Sequence, residues 1–189
     1  KIAPIDTNLF PAGFNNLDKD LEFLYISAVQ HAFERLSPNL TKILIISENH
    51  TRNKFYKSSI DALCNILSKS GYEVKVAALL NMETGDGLNP LLTQEANTLR
   101  YDNFIPDAIL LNNDLSSGIP DILNNINQPI LPDKNLGWTN RSKTIHFEYY
   151  SNVVNNFSHM LEIDSWLLEP LFRNCGEIDF KTKQGEDSF

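Results

Sequence analysis

The chain has 189 residues, a net charge of −8 at pH 7 and a sequence pI near 4.9. This acidity argues against nucleic acid or an anionic membrane as the main partner, because both attract basic surfaces. Hydrophobic residues make up 42% of the chain and charged residues 21%, which is typical of a folded globular protein. No apolar run approaches the roughly 18 residues that span a membrane, so we expect a cytoplasmic protein.

The first predicted helix begins after Asp18, a favourable N-cap residue, and ends near Ser37. Apolar residues recur at helical spacing between these two positions. The preceding residues, 1–17, combine a short apolar run with turn-forming proline and glycine, which predicts a strand leading into a structured loop. Asp6 and Asn8 follow that run, and they either face a binding site or cap local backbone groups.

An uninterrupted apolar run at residues 43–46 predicts a strand buried on both faces of a parallel sheet. A polar cluster at residues 47–53 follows it directly. Ligands bind beyond the carboxyl ends of strands in open α/β sheets, so this cluster is a candidate binding loop. The alternative is an ordinary polar connection into the next helix.

The rest of the pattern alternates between strands and helices. A helix at 53–69, ended by Gly71, and a strand at 73–80 complete a βαβ unit. Strands are also predicted at 106–112 and 128–132, a loop without a phosphate-binding glycine motif at 81–91, and helices at 92–101, 120–126, 148–161 and 165–172. The predicted fold class is α/β, a three-layer, mostly parallel sheet flanked by helices, in one domain over residues 1–189.

Polar segments follow three of these strands, at 47–53, 112–118 and 133–146, and residues 6–16 can join them. If the strands are parallel, the segments meet at one edge of the sheet. Cations there (Arg52, Arg141, Lys143) suit carboxylate or phosphate, and carboxylates (Asp6, Glu48, Asp114) suit an ammonium group. The other candidate substrate-binding residues are Asn8, Asn49, His50, Asn53, Asn113, Ser116, Trp138 and His146. This mixture suits a zwitterion such as an amino acid.

Several other kinds of site lack support in the sequence. Cys64 and Cys175 form no metal-ligand spacing, and we predict no metal-binding residue. No Ser-His-Asp triad or glycosidase carboxylate pair is recognisable, so hydrolysis by this chain alone is poorly supported.

Six segments are long and unusual enough to compare with known families. They are PIDTNLFPAGFNNL (4–17), SENHTRN (47–53), LLNNDLSSGIP (110–120), QPILP (128–132), GWxxRxKxxHF (137–147) and PLFxxCGEI (170–178). These segments resemble the proteobacterial-type glutamate–cysteine ligase family, and the resemblance covers essentially the whole chain.

The resemblance implies a Rossmann-like substrate domain of the kind that precedes an ATP-grasp domain, with the nucleotide-binding half outside this chain. It implies that ATP phosphorylates the side-chain carboxylate of glutamate and that the amine of cysteine attacks the acyl phosphate, giving γ-glutamylcysteine for glutathione synthesis. ATP and magnesium would be bound mainly by residues outside this chain, so the chain alone would be inactive. Arg52 and Arg141 would then be catalytic, neutralising substrate carboxylates or the transferring phosphoryl group. The alternative is a non-catalytic domain that binds an amino acid or a dipeptide.

Overall fold

The computed structural model describes residues 12–48, 54–80, 87–137, 143–172 and 182–183. Contacts within the chain group it into two compact units. The larger unit is Asn8–Thr139, and the smaller one combines Lys1–Thr7 with Asn140–Phe189. Among the described residues, no helix is both long and apolar enough to cross a membrane.

The larger unit contains a parallel four-stranded sheet with two long helices. In chain order its elements are α1 (Glu22–Leu36), β1 (Lys42–Ser47), α2 (Lys54–Lys69), β2 (Glu73–Ala78), β3 (Leu92–Glu95), β4 (Thr98–Tyr101), β5 (Ala108–Asn112) and β6 (Ile130–Leu131). The sheet order is β2-β1-β5-β6, and every neighbouring pair in it is parallel. The predicted α/β fold with a parallel sheet flanked by helices is therefore confirmed.

Strand β1 lies at the centre of the core, and its side chains alternate between the two faces of the sheet. Ile43 and Ile45 belong to a cluster with apolar residues of α1 and α2, whereas Leu44 and Ile46 belong to the cluster on the other face. All four side chains are fully buried. Burial on both faces explains why this strand reads as a continuous apolar run.

A β-hairpin formed by β3 and β4 covers the second face of the sheet, so the helix predicted at 92–101 is wrong. Ala96 and Asn97 connect the two strands with φ angles of 46° and 62°. Two consecutive positive φ angles define the tight hairpin turns whose twist matches that of the flanking strands. The buried Leu92 and Leu99 then point into the core beneath the hairpin.

The two short helices predicted later in the chain are each reduced to a single 3-10 turn. The first covers Asp121–Leu123 and ends at Asn124, whose backbone is extended (φ −89°, ψ 145°). The second covers Ser165–Leu167, capped by the Asp164 side chain as predicted. Pro170 has no N–H to continue a helical hydrogen-bond pattern beyond it.

The long helices agree with the sequence pattern. Asp18 caps a 3-10 turn that leads directly into α1, and α2 ends at Lys69, two residues before Gly71, whose φ angle is 99°. In the smaller unit, α3 (Lys143–Leu161) begins five residues before the predicted start of that helix at residue 148.

Candidate functional site

The carboxyl ends of β1 and β5 lie side by side, with Ser47 and Asn112 as register partners. Directly after β1, the Glu48 N–H donates to the Asn112 carbonyl oxygen at 3.1 Å and to the Tyr56 hydroxyl at 2.7 Å. The Tyr56 hydroxyl in turn donates to the same Asn112 oxygen at 2.8 Å. Tyr56 of α2 thereby ties the two strand ends together.

The ionisation of Tyr56 reflects this position. Burial, and secondarily the nearby Glu48 carboxylate, raise the pKa of Tyr56 to about 12, although its hydrogen bond with the Glu48 N–H opposes that rise. The phenol therefore keeps its proton at neutral pH. It remains the hydrogen-bond donor that the Asn112 carbonyl requires.

The loop after β5 is fixed by its own side chains. Asn113 is buried, its Nδ2 donates to the Ser47 carbonyl at 3.1 Å, and its Oδ1 accepts from the Leu115 N–H at 2.9 Å. The Asp114 N–H donates to Glu48 Oε1 at 2.7 Å, and Asp114 Oδ1 accepts from the Ser116 N–H at 2.9 Å. These bonds orient the Glu48 carboxylate and hold the loop in one conformation.

Backbone conformation and close packing add to this rigidity. Leu115 adopts the left-handed conformation (φ 53°) while its side chain is buried. A Cβ atom on Gly137 would lie 3.1 Å from Leu115 Cβ and 3.3 Å from the Asp114 carbonyl oxygen. The backbone at Gly137 therefore packs closely against this loop, and a Cβ atom there would require its neighbours to shift by a few tenths of an ångström.

A cleft of about 450 Å³ opens beside this loop, at the carboxyl edge of the sheet. Its described polar lining is Glu48, Asn113, Ser116, Ser117 and Asp121, and its described apolar lining is Leu79, Leu80, Leu88, Leu115, Ile119, Pro120 and Ile122. Backbone pairing between Leu80 and Leu88 forms part of the wall. Both of these leucines remain partly open to solvent, at 41% and 45% exposure, so the wall offers apolar surface to a ligand.

Comparison with known proteins identifies the family of this chain. The family model of glutamate-cysteine ligase (GshA) matches residues 1–189, the whole length. The chain belongs to the glutamate-cysteine ligase family. This confirms the resemblance that the sequence segments indicated.

A solved structure supports the same assignment. It is a protein from Methylobacillus flagellatus KT that is assigned as a gamma-glutamylcysteine synthetase, with 45% sequence identity and a TM-score of 0.80. The alignment covers 98% of this chain and 46% of the other, so this chain spans about half the length of that protein. A search of curated proteins gives no match.

The fold brings together four of the residues predicted for a glutamate-cysteine ligase site. Glu48, Asn113 and Ser116 line the cleft, and Asp114 lies directly behind it with its side chain bonded to backbone. Other predicted site residues lie outside the described residues: Asp6, Asn8, Asn49, His50, Arg52, Asn53, Trp138 and Arg141. Lys143 is the first residue of α3, and its side chain is also outside the described part.

His146 belongs to the smaller unit. Its ring stacks on Tyr150, with a centroid distance of 6.1 Å and an interplanar angle of 19°, and meets Phe147 edge-on. Its buried Nε2 atom has no hydrogen-bond partner among the described residues. Its role as a substrate-binding residue stays a prediction.

Sequence reasoning missed the apolar wall of the cleft and the carboxylate of Asp121. Leu80 and Leu88 flank a loop of the sequence, and only backbone pairing in the tertiary structure places them together. Asp121 follows the polar segment 112–118 by three residues, but the sequence pattern places it in the helix predicted at 120–126.

The described lining of the cleft does not suit a nucleotide triphosphate, and the described residues form no cluster of ligands for a metal ion. Within the described ranges, no group of three or more His, Cys, Asp or Glu side chains is arranged to hold a metal ion. The described lining of the cleft carries two carboxylates and no Lys or Arg, whereas a triphosphate requires cations or clustered backbone N–H groups.

Proposed function

We propose that this chain provides the amino-acid-binding part of a glutamate–cysteine ligase, which joins the side-chain carboxyl of glutamate to the amine of cysteine for glutathione synthesis. The observation that carries the proposal is the cleft at the carboxyl edge of the sheet, in a chain that matches the family over its whole length. The lining of the cleft includes a carboxylate from Glu48, an amide from Asn113 and a hydroxyl from Ser116. These groups suit the ammonium and carboxylate of an amino acid.

The rigidity of the cleft supports a role in positioning. Glu48 is oriented by the Asp114 N–H, and the strand ends beneath it are tied by Tyr56. A binding group that is already oriented holds its ligand without losing further conformational freedom, which favours reaction between two bound substrates. Arg52 and Arg141 complete the proposal as the cations that neutralise substrate carboxylates.

ATP dependence and the acyl phosphate route belong to the proposal as well. When bound, ATP would supply the phosphoryl group that activates the carboxyl of glutamate. Because the described cleft does not fit a triphosphate, the proposal places ATP and magnesium on residues other than its described lining. The expected cytoplasmic location is also part of the proposal and follows from the biosynthetic role.

Calorimetry on the 189-residue chain tests amino-acid binding directly. We expect heat of binding with at least one of L-glutamate and L-cysteine, and a weaker signal in Glu48→Gln, which keeps the size of the side chain and removes its charge. A chain that is folded by circular dichroism and binds neither amino acid would contradict the proposal.

Steady-state kinetics of the complete enzyme test the two arginines. Arg52→Ala and Arg141→Ala should each lower kcat/KM by more than about tenfold, since each removes a charge-assisted contact to a substrate. Arg35→Ala is the matched control, because Arg35 is an exposed residue of α1 in the sheet-bearing unit. Activity close to that of the wild type in both variants would remove the arginines from the proposed site.

One observation favours the non-catalytic alternative. The described lining of the cleft carries two carboxylates and no Lys or Arg, and it therefore does not suit a triphosphate. Formation of ADP and γ-glutamylcysteine should therefore be measured with this chain alone. Turnover by the isolated chain would rule out a purely binding role and would also contradict the expected inactivity.

A further inference from the structure

Helix α3 packs against other residues of the smaller unit along one face. Val154 is buried on this face. One turn earlier, the Tyr150 hydroxyl donates to the Leu168 carbonyl oxygen at 2.8 Å, and the Phe147 ring stacks on Phe172 with a centroid distance of 4.9 Å. Residues three and four apart share one side of a helix, so these contacts use only part of the surface of α3.

A second face of α3 is apolar and exposed. Its side chains recur every three or four residues, and we call them the apolar stripe: Tyr149, Val153, Phe157, Met160 and Leu161. Their exposed fractions range from 48% for Phe157 to 79% for Met160. Single exposed apolar residues are common on folded proteins, whereas a continuous row of them marks an interaction surface.

The polar residues of this part of α3 lie on the remaining side of the helix, at Asn152, Asn155 and His159. Residues 149–161 include no Asp, Glu, Lys or Arg, although charged residues make up 21% of the whole chain. A helix that packs on one side only carries charged and polar residues over the rest of its surface. Helix α3 is instead apolar on two sides, which is typical of a helix that has a packing partner on each.

The related structure from Methylobacillus flagellatus KT indicates which partner is available to the apolar stripe. At 45% sequence identity, this chain covers 46% of that chain, so more than half of that polypeptide lies outside the alignment. A part of the same polypeptide is held near α3 at a high effective concentration, which a separate molecule does not have. The apolar stripe also carries no charge that would fix the orientation of a second copy of this chain.

We propose that the apolar stripe of α3 is the surface on which the remaining part of the ligase polypeptide docks, through an apolar surface of its own. From the proposed function this uses only the statement that the chain is one part of a complete ligase. It holds whichever amino acid the cleft binds. Docking on α3 would bury the apolar stripe and fix the position of the smaller unit against the part of the ligase that the cleft does not provide.

Thiol labelling of the complete enzyme tests the proposal, with Val153→Cys in the apolar stripe and Asn155→Cys as the matched control. Both positions are exposed on α3 in this chain, two residues apart and on different sides of the helix. A negatively charged maleimide reacts with accessible thiols, and mass spectrometry of the labelled peptide separates the introduced thiol from the native ones. We expect the thiol at position 153 to react at least about tenfold more slowly than the thiol at position 155 in the complete enzyme.

The same two variants of the 189-residue chain identify the partner. We expect their rates to agree within about threefold there, because the remaining part of the ligase is absent. Equal rates in the complete enzyme would overturn the proposal. Slow labelling of Val153→Cys in the 189-residue chain as well would also overturn it, and protection that grows with protein concentration would assign the stripe to a second copy. Neither result concerns amino-acid binding, so the proposed function would stand.

Met160→Lys and Asn155→Lys provide a second measurement that needs the complete enzyme alone. Met160 is the most exposed residue of the apolar stripe, so a lysine there is compatible with the fold of the smaller unit. In the complete enzyme it would place a charge in the proposed interface. We expect Met160→Lys to lower the thermal unfolding midpoint by several degrees and Asn155→Lys to leave it unchanged. Equal midpoints for the two variants would contradict docking on the apolar stripe.

Discussion

Asn113 provides the sharpest test of how the cleft is built. Its buried amide donates to the Ser47 carbonyl at the end of β1 and accepts from the Leu115 N–H within its own loop. Asn113→Ala removes both bonds and leaves the Leu115 N–H without its acceptor in a buried position. A buried polar group that loses its partner costs roughly 1–3 kcal/mol, so we expect a loss of about 2–3 kcal/mol in the free energy of unfolding.

Urea unfolding followed by circular dichroism measures this loss. The midpoint should fall while the dependence of the unfolding free energy on urea stays the same, because the area exposed on unfolding hardly changes. Asn103→Ala, at an exposed asparagine next to β4, is the control and should stay within about 0.5 kcal/mol of the wild type. A loss below about 0.5 kcal/mol for Asn113→Ala would refute the reasoning that its amide holds the loop.

Three further predictions concern the larger unit. Burial raises the pKa of Asp107, but hydrogen bonds from Thr41 and Lys42 outweigh it, so the pKa lies below its ordinary value of 3.8. The hydrogen bonds of the Asp107 carboxylate therefore stabilise the folded chain above pH 3.8, and this stabilisation is lost as the pH falls through the lowered pKa. Asp107→Ala should lower the free energy of unfolding, measured in urea, by about 1–2 kcal/mol at pH 7. The difference between this variant and the wild type should shrink in acid. Leu99→Ala empties a fully buried position and should cost about 2–5 kcal/mol in urea, whereas a cost below about 1 kcal/mol would place Leu99 outside the core. Ala96→Gly should leave thermal stability unchanged or raise it by up to about 1 kcal/mol, because φ at Ala96 is 46°, and a clear fall in Tm would contradict the turn assignment.

The strands and long helices were predictable because their signals are local. A continuous apolar run at 43–46 has few explanations besides a strand buried on both faces, and α2 shows its apolar periodicity together with Gly71 at its end. The hairpin of β3 and β4 could not be predicted in this way. Its turn has Ala96 where glycine or asparagine would have signalled it, and its strands are stable because Leu92 and Leu99 pack on the sheet.

For the candidate site, the sequence by itself determined which polar segments follow the strands, because parallel strands place their carboxyl ends along one edge. Three residues that line the cleft were therefore predictable from the sequence as candidate site residues, namely Glu48, Asn113 and Ser116. Only the tertiary structure decided the rest of the cleft. The Leu80–Leu88 pairing and the position of Asp121 depend on contacts between residues that share no local pattern. Periodicity reports which residues are buried together within one element, whereas a cleft is formed by the surfaces that several elements leave uncovered.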